Sequence, residues 1–307
     1  MRTIRIGTRG SDLALAQAVL TEQALGLAFP DAEWHREVIR TTGDRRTDVA
    51  LSEVAKVEGI LDKGVFTKEL EVALAADEID IAVHSLKDVP TVLDDAFEIA
   101  GTLERAPVRD VLVSRASGGL EVLAAGSVVG SSSVRRAKQL TWLRKDLQVA
   151  DIRGNVPTRL EKLAKGDFDA ILLAEAGLVR LGYAMDAPCS MEGMELHFAP
   201  LDEERFYPAA GQGAIGFEIR KDDAEARKWV EAITHSETFL RARAEREFLR
   251  LIDGGCHTPV GVFSSLSGDR LEMAARLFPD EGGEPRTSKA TGTDPISVAL
   301  ELYQSLE

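Results

Sequence analysis

Strand-like and helix-like patterns alternate along the first half of this 307-residue chain, and this alternation limits the possible folds most strongly. Apolar runs at 3–7, 81–83 and 170–174 are typical of buried strands, whereas 12–28 and 156–165 have the residue spacing of helices. Strands separated by helices generally pair in parallel, because a parallel connection needs a long crossover. We therefore predict an α/β fold with mainly parallel sheets.

The predicted helix over 12–28 has a clear beginning. Ser11 precedes it, and a serine in this position accepts a hydrogen bond from the first helical turn. Apolar residues spaced three or four apart predict the face that is buried. Those residues are Leu13, Ala16, Leu20, Ala24 and Leu27.

The chain changes character after residue 200. A segment rich in proline, glycine and charge is followed by strand patterns at 260–265, 270–277 and 288–291 and by a last helix pattern at 294–306. Consecutive short strands backed by one helix predict a small α+β domain with an antiparallel sheet. Because 307 residues are many for one core, we expect two or three domains.

The composition disfavours several classes of partner. A net charge of −14 and an aromatic content of 6% argue against binding to nucleic acid or to an anionic membrane. The chain has no apolar run of membrane-spanning length and no signal-peptide pattern, so we expect a cytoplasmic location. The two cysteines, Cys189 and Cys256, are too few for a disulfide framework or a cysteine-based metal site.

The apolar run at 81–83 ends in a group of titratable residues, His84, Lys87 and Asp88. In open α/β sheets, ligands bind at the carboxyl ends of the strands. A carboxylate beside a lysine at such a position stays ionised and stabilises a cation that forms during a reaction. The alternative is a turn that carries only a surface ion pair.

Basic residues recur where a strand pattern gives way to a helix pattern, at 8–11, 131–136 and 153–159. Unpaired N–H groups of a first helical turn, with hydroxyl and guanidinium groups beside them, form an anion receptor. Arginine is unfavourable there for helix stability, which indicates a binding role for a ligand with several carboxylates. The alternative is that each arginine is solvated or pairs with one of the 51 acidic residues.

Two glycine-rich segments differ in how strongly they indicate a binding or catalytic site. The segment 211–216 matches the letters of the dinucleotide-binding pattern Gly-x-Gly-x-x-Gly, but it precedes a strand pattern, so a dinucleotide site is disfavoured. The sequence also lacks the P-loop pattern of nucleotide-binding proteins. Gly254 and Gly255 permit a tight turn that presents the thiol of Cys256. The alternative for this cysteine is a small buried apolar side chain.

Together these motifs resemble the porphobilinogen deaminase family, also called hydroxymethylbilane synthases. The pattern His-Ser-x-Lys-Asp-Val-Pro at 84–90 is the most specific of them. The segments that carry the resemblance follow the family's order and are 8–11, 63–71, 82–90, 132–136, 153–156, 211–214 and 254–256.

The resemblance implies a transferase that joins four porphobilinogen molecules head to tail and releases ammonia at each step. Its product is the linear tetrapyrrole 1-hydroxymethylbilane, an intermediate of haem and chlorophyll biosynthesis that passes to uroporphyrinogen III synthase. The family carries a dipyrromethane cofactor on a cysteine thioether, which by resemblance is Cys256 here. A monomer that uses neither metal nor nucleotide is implied.

The resemblance also implies roles for individual residues. Asp88 is the expected catalytic residue, with Lys87 beside it. The expected cofactor-binding residues are Cys256, Ser132, Ser133, Arg135, Arg136, Lys87 and Asp88. The expected substrate-binding residues are Arg9, Ser11, Phe66, Arg153, Arg159, Arg180 and Gln212.

Three domains are implied as well. Domain 1 covers 1–103 and is completed by a return segment at 212–232, domain 2 covers 108–207, and domain 3 covers 236–307. Domains 1 and 2 resemble the two lobes of periplasmic binding proteins, with mainly parallel sheets and an active site in the cleft. Domain 3 is the small α+β domain with an antiparallel sheet, and it carries Cys256.

The chain departs from the family pattern in places. Lys56 and Lys63 are farther apart than usual, Asp253 and His257 replace commoner residues around the Gly-Gly-Cys sequence, and the segment 183–207 is long. Two other functions share the architecture. A solute-binding protein is disfavoured by the missing signal peptide, and a LysR-type regulatory domain by the missing helix-turn-helix segment.

Overall fold

The structure is a computed structural model that describes residues 3–41, 67–255 and 258–306. Its contacts divide the chain into two units. The first combines 1–106 with 213–255, and the second combines 107–212 with 256–307. None of the helices in the described ranges is long and apolar enough to cross a membrane.

The first unit is built on a five-stranded sheet of order β2-β1-β3-β11-β4. Its strands are β1 (Ile4–Arg9), β2 (Trp34–Ile39), β3 (Ile81–Ser85), β4 (Phe97–Thr102) and β11 (Ile215–Arg220). Its helices are α1 (Asp12–Ala28), α2 (Lys68–Ala75), α6 (Ala224–Ile233) and α7 (Ser236–Leu251), with a 3-10 turn at Leu86–Asp88.

The second unit contains a six-stranded sheet of order β7-β6-β8-β5-β10-β9 and a three-stranded sheet of order β12-β13-β14. The larger sheet consists of β5 (Asp110–Ser114), β6 (Val128–Gly130), β7 (Gln148–Ala150), β8 (Ala170–Ala174), β9 (Cys189–Met191) and β10 (Met194–Pro200). The smaller consists of β12 (Val260–Ser267), β13 (Arg270–Leu277) and β14 (Arg286–Gly292). The helices are α3 (Val134–Leu143), α4 (Val156–Lys165), α5 (Glu175–Arg180) and α8 (Pro295–Gln304), with a 3-10 turn at Leu120–Val122.

The predicted α/β class and the small antiparallel C-terminal sheet are confirmed, but the two larger sheets are mixed rather than mainly parallel. In the first, β1 is parallel to β2 and β3, whereas β11 lies antiparallel between β3 and β4. In the second, β6 is parallel to β7 and β8, and β5, β9 and β10 add antiparallel pairs. In the first sheet and at β5, strands distant in sequence enter without a crossover helix, whereas β9 and β10 are consecutive strands joined by a tight turn.

The unit boundaries bear on the three-domain hypothesis. Helix α7 clusters with the first unit, whereas the β12-β13-β14 sheet clusters with the second. The boundaries 1–103 with 212–232, 108–207 and 236–307 therefore stay a prediction.

The buried face of α1 is not the predicted one. Leu20 and Leu27 are exposed, and the residues that face the core are Ala14, Gln17, Ala18, Thr21 and Leu25. These also follow a three-and-four spacing. Because α1 is apolar on most sides, the choice of face depends on the sheet beneath it, where Leu25 packs with Ile4, Ile81 and Phe217.

Leu25→Ala and Leu27→Ala form a matched pair on this helix. Leu25 is fully buried and Leu27 is 86% exposed. Leu25→Ala is expected to lower the free energy of unfolding by about 2–5 kcal/mol, because it leaves a cavity. Leu27→Ala is expected to stay within about 0.5 kcal/mol. Urea unfolding measures both, and equal losses would contradict the burial described here.

Candidate functional site

The predicted residues of the first unit follow two parallel neighbours, β1 and β3. Arg9 ends β1 and Ser11 follows it, while Lys87 and Asp88 lie in the 3-10 turn after β3. Since parallel strands have their carboxyl ends at the same sheet edge, these four residues share one edge. The hydroxyl of Ser11 also accepts a hydrogen bond from the Ala14 N–H at 3.3 Å, as expected for the cap of α1.

The turn that holds Asp88 is fixed by backbone bonds and apolar packing. The Leu86 N–H donates to the Ala214 carbonyl at 3.1 Å, and the Val89 N–H donates to the Leu86 carbonyl at 3.2 Å. Leu86, Val89 and Ala214 are buried in one cluster with Ala242 of α7. Asp88 itself is half-buried, and no residue in the described ranges donates a hydrogen bond to its carboxylate.

His84 belongs to a buried pair behind this turn. Its Nε2 lies 2.9 Å from Oε2 of Glu218 on β11, and both side chains are buried. The second oxygen of Glu218 has no hydrogen-bond partner among the described residues. Burial, and then the charge of Glu218, raise the pKa of Glu71 on α2.

The predicted residues of the second unit follow three neighbouring parallel strands. Ser132 and Ser133 come after β6, Arg153 after β7, and Arg180 at the end of α5 after β8. The Ser132 hydroxyl donates to the Ile152 carbonyl, which joins the first two of these loops. The arrangement matches the ligand-binding edge of an open α/β sheet.

Several of these residues shape the loops at this edge. The Ser133 hydroxyl caps α3 by accepting a bond from the Arg136 N–H. Arg159 Nε donates to the Gly154 carbonyl at 2.8 Å. Burial lowers the pKa of Arg180 to about 10, so its guanidinium lies in a poorly hydrated position.

Asp110 is the centre of a buried network in this unit. It begins β5 opposite Ala174, the last residue of β8, and therefore lies at the same edge. Its carboxylate accepts bonds from Arg135 Nη1 at 2.6 Å, Arg136 Nε at 2.9 Å and Gln212 Nε2 at 3.1 Å. The alternative noted for the arginines, pairing with an acidic residue, thus holds for these two.

The charges of this network determine the ionisation of Asp110. Burial by itself would raise its pKa, but the positive charges and hydrogen bonds of Arg135 and Arg136 hold the pKa well below its usual range. Arg135 also donates to the Tyr207 carbonyl, whereas its Nε is buried without a partner among the described residues. The Nε–H group of Arg135 can therefore donate to a further hydrogen-bond acceptor.

The structure brings Arg135, Arg136 and Gln212 together, and sequence reasoning missed the residue that joins them, Asp110. Its signal was a lone carboxylate at the start of an apolar strand pattern. The other predicted residues that the structure describes lie at one of the two sheet edges, within their own units. The predicted residues Cys256 and Phe66, and also Lys56, Lys63 and His257, lie outside the described residues.

Asp110→Asn is expected to lower the free energy of unfolding at pH 7 by about 3–5 kcal/mol, because two buried guanidinium groups lose their counter-charge. The folded-state pKa of Asp110 lies below its unfolded value of about 3.9. Its contribution is therefore complete above that value and is lost as the pH falls. Denaturant unfolding between pH 7 and pH 3 measures this. The difference in the free energy of unfolding between wild type and Asp110→Asn is expected to become smaller as the pH falls.

Asp146→Asn is the matched control for this measurement. Asp146 accepts two bonds from Arg144 at the exposed surface, where water screens the pair. If Asp146→Asn lowered the free energy of unfolding as much as Asp110→Asn does, that result would contradict a special role for the buried network.

Comparisons with known proteins cover nearly the whole chain. Residues 4–228 match the family model "Porphobilinogen deaminase, dipyromethane cofactor binding domain", and residues 239–307 match "Porphobilinogen deaminase, C-terminal domain". The porphobilinogen deaminase of Syntrophobacter fumaroxidans is 41% identical over 99% of this chain and 95% of its own length. That of Desulforudis audaxviator is 43% identical over 97% of this chain and 92% of its own.

Solved structures were compared as well. The methionine-binding protein MetQ matches 78% of this chain and 94% of its own, with 13% identity and a TM-score of 0.44. The periplasmic VFT2 domain of Bordetella pertussis BvgS matches 79% and 93%, with 14% identity and a TM-score of 0.43.

Proposed function

The chain belongs to the porphobilinogen deaminase family, and on that premise we propose how its own residues perform the reaction. The enzyme is a transferase of tetrapyrrole biosynthesis that condenses four porphobilinogen molecules into 1-hydroxymethylbilane and releases ammonia. It binds a dipyrromethane cofactor, which supplies the pyrrole carbon that is extended when the cofactor is bound.

The residues of the second unit fit such a group. Each ring derived from porphobilinogen carries an acetate and a propionate, so its receptor needs several cationic donors. The buried, unpartnered Nε of Arg135 supports a carboxylate contact at the Asp110 network. We assign cofactor binding to Arg135, Arg136, Ser132 and Ser133, with Lys87 and Asp88 from the first unit, and thioether attachment to Cys256.

The remaining predicted residues are assigned to substrate. Carboxylates of porphobilinogen and of the growing chain are taken up by cations and donors at the two sheet edges. These residues are Arg9, Ser11, Arg153, Arg159, Arg180 and Gln212, with Phe66 as an apolar contact. The position of Arg180 at the end of α5, which follows β8, supports this role.

Asp88 is the proposed catalytic residue. Loss of ammonia makes the substrate pyrrole cationic, and a fixed carboxylate beside it lowers the energy of that charge. The observation that carries this role is the half-buried carboxylate of Asp88, held at the carboxyl end of β3 with no hydrogen bond from any described residue. Lys87, the preceding residue of the same turn, is assigned a role beside it.

The cellular setting remains part of the proposal. The family assignment supports a product that passes to uroporphyrinogen III synthase and serves haem and, where it is made, chlorophyll. The composition supports a cytoplasmic location. We propose a monomer, as the resemblance implies.

Intact-protein mass spectrometry tests the attachment at Cys256. Wild type is expected to weigh one dipyrromethane more than its sequence, and Cys256→Ser is expected to have the mass of its sequence alone. Cys189→Ser is the matched control and keeps the added mass, since Cys189 lies on β9. An unmodified wild type, or an added mass retained in Cys256→Ser, would refute the attachment.

Asp88→Asn is expected to lower kcat by about 10²–10³-fold, equivalent to about 3–4 kcal/mol, because the developing positive charge loses its carboxylate. Steady-state turnover of porphobilinogen measures this. Asp95→Asn, an exposed aspartate farther along the same loop, is the control and should retain wild-type turnover. Normal kcat in Asp88→Asn would remove Asp88 from the mechanism.

A further inference from the structure

Arg246 of α7 contacts the backbone immediately after Asp88. Its Nη1 donates to the Val89 carbonyl at 3.0 Å, and its Nη2 donates to the Pro90 carbonyl at 2.6 Å. A guanidinium presents its donors in a fixed planar fork, so two bonds to consecutive carbonyls set the path of the chain between them. None of the roles assigned above includes this residue.

The position is electrostatically costly for an arginine. Burial lowers the pKa of Arg246 to about 10, with the charge of Glu218 acting in the opposite direction. Among the described residues, no carboxylate forms an ion pair with it. Its two described acceptors are backbone carbonyls. A half-buried charge held by neutral acceptors contributes little to stability, which indicates that Arg246 is retained for the chain segment that it holds in place.

Helix α7 is a firm support for this contact. Ala242, one turn before Arg246 and on the same face, packs against Leu86 and Val89. Glu245 accepts two bonds from Arg105, at 2.6 and 2.9 Å, in the segment after β4. The helix is thus tied to the sheet of its own unit independently of Arg246.

We propose that Arg246 is a positioning residue for Asp88, fixing the end of the 3-10 turn so that the carboxylate keeps its place. The start of the turn is already fixed by the bond from Leu86 to Ala214. Arg246 supplies the second fixed point, on the other side of Asp88. This inference rests on the catalytic role proposed for Asp88.

Arg246→Met removes the fork and keeps much of the side-chain volume, and Arg246→Lys keeps the charge without the fork. Both are expected to lower kcat by about 10- to 100-fold, the scale of small misplacements of reacting groups. KM should stay within about threefold, because substrate carboxylates bind elsewhere. Arg243→Met, an exposed site on the same helix, is the control with unchanged kinetics. Intact mass verifies that each variant carries its dipyrromethane.

Chemical rescue separates positioning from a general loss of structure. Arg246→Ala leaves space for a guanidinium, so added methylguanidinium is expected to raise its kcat, whereas it should not help Arg246→Met. Normal kcat in Arg246→Met, or a KM change with kcat retained, would overturn the inference. So would an Arg246→Ala variant that methylguanidinium does not restore.

A double-mutant cycle distinguishes this inference from the proposal for Asp88. If Arg246 acts through Asp88, adding Arg246→Met to Asp88→Asn is expected to lower kcat little further. If the two substitutions instead lower kcat independently, the positioning role of Arg246 is overturned and the proposed catalytic role of Asp88 is unaffected. If Asp88→Asn keeps normal kcat while Arg246→Met does not, the proposed role of Asp88 fails instead.

Discussion

The pairing of β11 with β3 organises the first unit around Asp88. Strand β11 comes from a distant part of the chain, yet it lies antiparallel to β3, with Gly216 opposite His84. At that position a Cβ would come within 2.7 Å of Leu86 Cδ1, so the glycine allows the approach. The same strand brings Glu218 to His84 and places the Ala214 carbonyl where Leu86 can donate to it. Without β11 the turn after β3 would lose the backbone anchor that Ala214 gives to Leu86.

The second unit holds cationic side chains at a sheet edge, although the protein has a net charge of −14. Two guanidinium groups, of Arg135 and Arg136, pair with the carboxylate of Asp110. Shared pairing orients both groups at this edge. A ligand with several carboxylates finds there an electrostatic complement that needs little rearrangement.

Local patterns were enough to predict much of the fold. Helices α1 and α4 and strand β8 have the bounds expected from capping, apolar spacing and length. Two features depended on distant contacts and were not predictable. The first is the antiparallel position of β11, which makes the sheet of the first unit mixed. The second is the buried face of α1, since packing against that sheet buries Leu25 and leaves Leu27 exposed.

The candidate site shows the same division. Motifs identified Asp88 and the arginines, because strand ends and helix starts are local. The residues that hold them in place were not visible in the sequence. Asp110 lies 25 positions from Arg135, and Arg246 lies 157 positions from Val89, whose carbonyl it binds, so both contacts depend on folding. Cys256 stays a prediction, which rests on two adjacent glycines and the family pattern.

Native-state hydrogen exchange at Leu86 and Val89 tests the central claim, that the Asp88 turn is held rigid from both sides, most directly. The Leu86 amide donates to the Ala214 carbonyl, directly before β11, and the Val89 amide donates to the Leu86 carbonyl within the turn. The account predicts exchange as slow as that of the amides inside β11, since opening the turn requires breaking its contacts with the sheet and with α7. Exchange at the rate of an unstructured loop would contradict it.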